Sequence, residues 1–435
     1  MRRALYVYAS VLATAIVLHP ASATAQTPDV QTLRQEIDQL KRDFEARLAA
    51  LEARLATAPG APAAAPRAGA EAAPPTAPPT APVPAGAEGA GGPSGALPVY
   101  GASVAGSKVF NPDIAVIGNV LGAAGRNHVA PDPALSLHES EATFQAVLDP
   151  YARADFFLAF GEQGVEVEEG FVTFTSLPGG LLTKVGKIRA AFGKVNTFHN
   201  HVLPWTDRPL VVQNLVGGEE GISDAGISVA RLIPNPWLFL EATGQVMRGD
   251  SGESLFKTSE RGDLSYVGHL RGYHDLSEST NLDLGLSLSR GHNPSGITDG
   301  VDLGRFTTRL WSVDATLRWR PLRRSIYRSF VGRSEIVWSR RDQPGGLQRA
   351  GGYYLSGDYQ MTRRWFVGAR WDRSDRAGDA SVTDRGQSLV LTYWPSEFSQ
   401  VRGQYRRTAY GDGPTANEFL FQFQFSIGAH GAHPF

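Results

Sequence analysis

Residues 311–320 read Trp-Ser-Val-Asp-Ala-Thr-Leu-Arg-Trp-Arg. Trp311, Val313, Ala315, Leu317 and Trp319 fall on one side of an extended chain, and Ser312, Asp314, Thr316, Arg318 and Arg320 on the other. Period two with charge confined to one face describes a strand that separates an apolar environment from a wet one. The pattern recurs along the chain. Leu282, Leu284, Leu286 and Leu288 oppose Asn281, Asp283, Ser287 and Ser289, and Phe419, Phe421, Phe423, Phe425 and Ile427 oppose Gln422, Gln424 and Ser426. A soluble sandwich also alternates, with its apolar face in a core. The connections decide between core and lipid.

Short turns are expected at 149–150, 178–180, 234–236, 274–279, 321–325, 360–364 and 395–397. Between them lie longer connections at 122–135, 193–222, 247–263, 290–306, 341–348, 374–385 and 408–416, with 161–164 the short exception. Short turns at one end and long loops at the other mark an outer-membrane barrel, and a sandwich has no reason to sort its loops this way. The expected fold is all-β: a transmembrane antiparallel barrel of about sixteen strands over residues 99–435. Tryptophans bracket the apolar faces at Trp311/Trp319 and Trp365/Trp371, where aromatic girdles would sit.

The segments before the barrel fit the same compartment. Arg2 and Arg3, the apolar stretch 4–18 and Ala23-Thr24-Ala25 read as a secretory signal over 1–25. Residues 28–57 are expected to be helical and periplasmic. Leu33, Ile37, Leu40, Phe44, Leu48, Leu51 and Leu55 recur with the eleven-residue period of a nearly straight oligomeric coiled coil. Residues 58–98, rich in Ala, Pro and Gly, form a spacer. The 435 residues include no cysteine, so a disulfide framework, a thiolate metal site and a cysteine-linked lipid anchor are not expected. The net charge of −1 hides an asymmetry: residues 301–410 hold 20 arginines, no lysine and 10 acids.

Residues 193–222 form the longest connection and the candidate functional segment. His199, His201, Asp207, Arg208, Glu219 and Glu220 are its polar side chains; Leu203, Trp205, Leu210 and Val211 can pack it on a wall. The wet strand faces offer Arg153, Asp155, Lys187, Arg189, Arg318, Arg320, Arg333 and Arg370. Acids facing bases across a pore set up a transverse field that selects polar or charged solutes. His199-Asn200-His201 is an H-x-H pair, and Glu219 and Glu220 are the carboxylates the segment itself offers to a zinc ion. Two loop histidines are ordinarily just solvated, so no metal and no cofactor is assigned. No nucleophile motif accompanies these histidines and no phosphate-cradling loop occurs, so no enzyme is expected.

Three stretches resemble the phosphate-selective porins and their uncharacterised relatives with an N-terminal coiled coil: 110–118, the strand and turn ending in Leu177-Pro178-Gly179-Gly180, and the run 184–193 (Lys-Val-Gly-Lys-Ile-Arg-Ala-Ala-Phe-Gly). The resemblance implies a porin whose third outer loop folds into the barrel. It does not carry phosphate selectivity, because Lys184 and Lys187 stand without the family's lysine ladder. The terminal Phe435 resembles the signal read by the barrel assembly machinery, and 428–435, with His430 and His433, resembles the ends of relatives linked to zinc uptake. The expected function is passive diffusion of small hydrophilic solutes, with a weak preference for anions, through an outer-membrane homotrimer in contact with lipid and not with nucleic acid. Zinc-linked or other specific uptake, and an envelope-tethering barrel, are the alternatives.

Overall fold

The computed structural model describes residues 112–161, 164–252, 255–298 and 301–428, together with Gln39. The signal sequence, the helix over 28–57, the spacer and residues 429–435 lie outside the described residues, Gln39 apart. Contacts divide the chain into units 1–82 and 83–435. The second unit contains the barrel.

Sixteen antiparallel strands close into one barrel. They are β1 (Asp113–Arg126), β2 (Leu135–Asp149), β3 (Ala152–Gly161), β4 (Gly164–Leu177), β5 (Leu181–Arg189), β6 (Ser223–Leu232), β7 (Phe239–Met247) and β8 (Ser265–Ser277). The second half is β9 (Thr280–His292), β10 (Thr307–Trp319), β11 (Phe330–Arg341), β12 (Gln348–Gln360), β13 (Trp365–Asp375), β14 (Thr383–Ser396), β15 (Ser399–Ala409) and β16 (Thr415–Gly428). Each strand pairs with its sequence neighbours, and β1 closes on β16 from Ala115 opposite Gly428 to Arg126 opposite Asn417. Closure leaves no sheet edge, the condition for strands to cross a bilayer with every backbone group paired.

The alternation fixes inside and outside. On β10, Val313 and Leu317 are exposed while Ser312, Asp314 and Thr316 are buried. On β9, Leu284, Leu286 and Leu288 point out and Asp283, Ser287 and Ser289 point in; on β16, Phe419, Phe421, Phe423 and Ile427 oppose buried Gln422, Gln424 and Ser426. The apolar side is thus the outer surface and the polar side fills the interior, the inverse of a soluble sandwich. Aromatic pairs mark two levels of that surface. Trp311 faces Trp338 across β10 and β11, and Trp319 faces Phe330 at the other end. Trp365 and Tyr393 meet at a tilt with ring centroids 4.6 Å apart.

Loop sorting largely follows the expectation. Short links at 150–151, 178–180, 278–279, 361–364 and 397–398 share one end with the longer 320–329, while 190–222, 248–264 and 293–306 occupy the other. One boundary moves. Strand β1 runs on to Arg126, past the expected end at residue 121, and its Gly122, Ala123 and Ala124 pair with Phe421, Leu420 and Phe419. Gly and Ala are weak strand formers on their own, and the aromatic partner strand holds them in the sheet.

Candidate functional site

Segment 190–222 does not project from the barrel; it folds into it. The neck is closed by backbone and one side chain. Ala190 N–H donates to the Ile222 carbonyl at 2.8 Å. The Asn196 amide donates to the carbonyls of Ala190 and Ile222 at 2.9 and 3.0 Å, and its oxygen accepts from Ile222 N–H at 2.8 Å. The chain then turns inward at Gly193, whose φ of 60° suits glycine and whose N–H donates to Ser287 Oγ on β9 at 2.9 Å. A Cβ at Gly193 would collide with the Glu335 carboxylate, and that carboxylate accepts from the amides of Lys194 and Val195.

Further along, the segment hangs from wall after wall. The Lys194 ammonium sits 3.2 Å from Asp283 of β9. Asp207 accepts from Arg370 of β13 at 2.9 Å and from Gln404 and Arg406 of β15 at 2.6 and 3.3 Å. Burial alone would raise the Asp207 carboxyl, but the two guanidinium groups outweigh it and hold the group at about 2. The short helix α1 (Leu210–Leu215) starts with its Leu210 N–H on Asp372, and its Asn214 amide donates to Asp384. Its apolar residues Val211, Val212 and Leu215 join Val337, Ala350, Tyr354 and Val390 of the wall in a buried cluster. Trp205 is fully buried, edge-on to Tyr354 at 5.4 Å and beneath the Arg370 guanidinium. These inward apolar side chains give the loop a dry seat inside an otherwise polar lumen.

His199 and His201 meet a different wall. His199 Nδ1 lies 2.8 Å from Glu141 of β2 and 2.6 Å from Glu168 of β4, and Nε2 lies 2.9 Å from Glu169. Two consecutive glutamates reach one ring because β4 carries a bulge there. Phe157 pairs with Glu169 and Leu158 with Val167, which leaves Glu168 as the extra residue. His201 Nδ1 lies 3.4 Å from Glu141, and Glu139 is its buried neighbour on the same strand face. A second bulge at His138 adjoins that pair.

The remaining expected site residues distribute unevenly. Arg153 pairs with Asp155 and is half exposed; Lys187 pairs with Glu166; Arg189 is buried on Glu168. Arg318 stands 3.7 Å from Asp283, Arg333 pairs with Asp358, and Arg320 is exposed at the short-turn end. One expectation is corrected. Arg208 does not present its charge to a solute path. It is buried, with its guanidinium on the carbonyls of Val195 and Phe198 and on Asn200 Oδ1. Burial lowers that guanidinium to about 10, so it still carries charge as a staple within the loop. Glu219 and Glu220 are both exposed, in a turn where Gly217, Gly218 and Gly221 adopt positive φ.

Below the loop, on the short-turn side, a cavity of about 710 Å³ is lined by Arg318, Arg320, Arg363 and Arg364 with one acid, Glu397. A second cavity of about 150 Å³ lies against His201, Val202, Leu203 and Pro204, and both share Ser329, Val331, Phe366 and Trp394. Arg402 lines the narrow cavity and donates to Thr392 Oγ1, Gln422 Oε1 and the Trp205 carbonyl, all neutral.

No family model matches the chain. An uncharacterized protein of Aquifex aeolicus (strain VF5) is 29% identical over 336 residues, covering 69% of this chain and 70% of that protein. Among solved structures, an anion-selective porin from Comamonas acidovorans superposes with TM-score 0.52 at 12% identity, covering 73% of this chain and 99% of its own. A loop-deleted form of OmpT, an outer membrane protein of Vibrio cholerae, does so with TM-score 0.50 at 10% identity, again over 73% and 99%. Similarity at this level establishes the fold alone, a closed sixteen-stranded antiparallel barrel.

Proposed function

We propose that the chain is an outer-membrane porin that passes small hydrophilic solutes by diffusion, with segment 190–222 as its constriction. The observation that carries this reading is a loop hydrogen-bonded to strands around the lumen, with a wide cavity and a smaller one that share lining residues beside it. Sixteen strands enclose a space too wide for wall side chains alone to fill. The docked loop narrows it while leaving polar residues along the path. A modest preference for anions is part of the proposal. The wide cavity sets four arginines against one glutamate, and Arg402 beside the narrow cavity gives its hydrogen bonds to neutral acceptors. Elsewhere Arg333, Arg370, Arg376 and Arg406 are paired with carboxylates that offset their charge. Assembly into trimers, with helices 28–57 bundled in the periplasm, belongs to the same proposal and is tested by chemical cross-linking of full-length and 27–98-deleted protein.

The reading is tested by swelling of liposomes that contain the purified chain, in sugars of graded size, together with reversal potentials under a KCl gradient. Size-dependent swelling with a reversal potential toward the chloride value is expected. Absence of swelling would overturn the channel, and a reversal toward the potassium value would overturn the anion preference alone.

A further inference from the structure

Four carboxylates, Glu139, Glu141, Glu168 and Glu169, converge where the loop meets β2 and β4. The cations that face them are His199, His201, Arg189 and Arg208. The four acids are balanced only when both imidazoles are charged, at positions largely shut from solvent. Burying an uncompensated carboxylate is costly unless a counter-ion joins it. The partnering is incomplete at Glu139. Its Oε2 accepts from Asn200 at 3.3 Å, whereas its Oε1 is buried with no hydrogen-bond partner among the described residues, and the residue is only 7% exposed.

We propose that Glu139, Glu141 and His201 bind one divalent first-row transition cation. Each offers one ligand atom, and the three atoms lie within 4.8 Å of one another. Glu139 and Glu141 are two apart on one strand, so both point to the same side, and the bulge at His138 lies directly beside the pair. His201 approaches from the loop, its Nδ1 3.4 Å from Glu141. Zinc takes imidazole nitrogen and carboxylate oxygen at about 2.0–2.2 Å, so the three groups need to close by only about an ångström around an ion, with water completing the shell. One imidazole and two carboxylates favour such a cation over magnesium or calcium, which prefer oxygen alone. Thr143 donates to Glu141 Oε1 at 3.0 Å and Asn200 to Glu139 Oε2, orienting both carboxylates from behind. The bound ion would pin the loop to β2. This site stands independently of the channel reading.

The test uses the full-length folded protein, dialysed against Zn²⁺ and then against metal-free buffer. Zinc is counted by mass spectrometry and affinity is measured by competition with a chromophoric chelator. A His430→Asn/His433→Asn protein removes the tail histidines from the count. Both it and wild type are expected to hold one zinc per chain, with X-ray absorption showing nitrogen and oxygen neighbours only. Glu139→Gln and His201→Asn should each weaken binding at least about tenfold while keeping the heat-modifiable migration of a folded barrel. If Glu139→Gln fails to fold, His201→Asn, on the loop rather than the wall, decides alone. Failure of wild type to retain zinc overturns the proposal, as does unchanged affinity in the variants that fold, or loss of zinc only in the tail variant. None of these readouts depends on conductance, so the site and the channel can fail separately.

Discussion

Replacing Asp207 by alanine should release the centre of the loop from the wall. The carboxylate holds Arg370, Gln404 and Arg406 at 2.9, 2.6 and 3.3 Å, and its side chain is 10% exposed. Breaking one partner of a buried ion pair typically costs about 3–5 kcal/mol. Here Arg370 keeps Asp372 and Arg406 keeps Glu418, so the lower end applies, about 3 kcal/mol. That corresponds to a roughly 150-fold rise in the undocked population. Amide hydrogen exchange reads it directly, because Thr206 N–H donates to Gln404 and Leu210 N–H to Asp372 only while the loop is seated. In D207A, peptides spanning 200–216 should exchange up to about 150-fold faster, while β9 and β10 exchange as in wild type. Single-channel records should show added current noise. Unchanged exchange in 200–216, with the barrel intact, would refute the claim that this cluster seats the loop.

Asn196→Ala removes three hydrogen bonds at the neck and leaves the Ile222 N–H unsatisfied, while the Ala190 and Ile222 carbonyls keep the N–H groups of Phe192 and Ala190, a loss of about 1–3 kcal/mol; exchange at Ile222 and at the first residues of the loop should accelerate without change at α1. Leu286→Arg places a charge on the outward face of β9, where burial in lipid costs about 2–4 kcal/mol near the midplane. It should lower the denaturant midpoint for refolding into liposomes, and the inward Thr316→Ser should not. Arg402→Gln removes a charge beside the narrow cavity and should shift the reversal potential toward cations at nearly unchanged conductance.

The barrel was legible because its signals are local. Alternation at 311–320, leucines at every second position in 282–288 and the difference between a link such as 178–180 and a connection such as 190–222 need no knowledge of what touches what. The inward fold of the long segment was expected from resemblance; Leu203, Trp205 and Val211 suited packing on a wall and equally suited a solvent-exposed lid packed by its own apolar residues. What sequence withheld is pairing across strands. Glu141, Glu168 and His199 come from β2, β4 and the loop, and only register brings them together. A hint lay in the polar face Glu139, Glu141, Thr143, which repeats every second residue. The bulge that turns both Glu168 and Glu169 inward leaves no such trace. Glu219 and Glu220 seemed suitable partners for the histidines by proximity in sequence, yet both are exposed, in a turn where three glycines adopt positive φ. Arg208 has the same lesson: a charge in a pore loop also serves to cap the loop's own carbonyls.

The chain has no cysteine, so one introduced at Arg333, beside the narrow cavity, is a unique thiol. The decisive measurement is the single-channel current of R333C in a planar bilayer before and after a small charged methanethiosulfonate reagent. The account predicts stepwise ohmic openings that fall in size once the reagent is added, and no effect of the reagent on wild type. A folded barrel that gives no current, or a current indifferent to a modified Cys at 333, would contradict a path through this lumen.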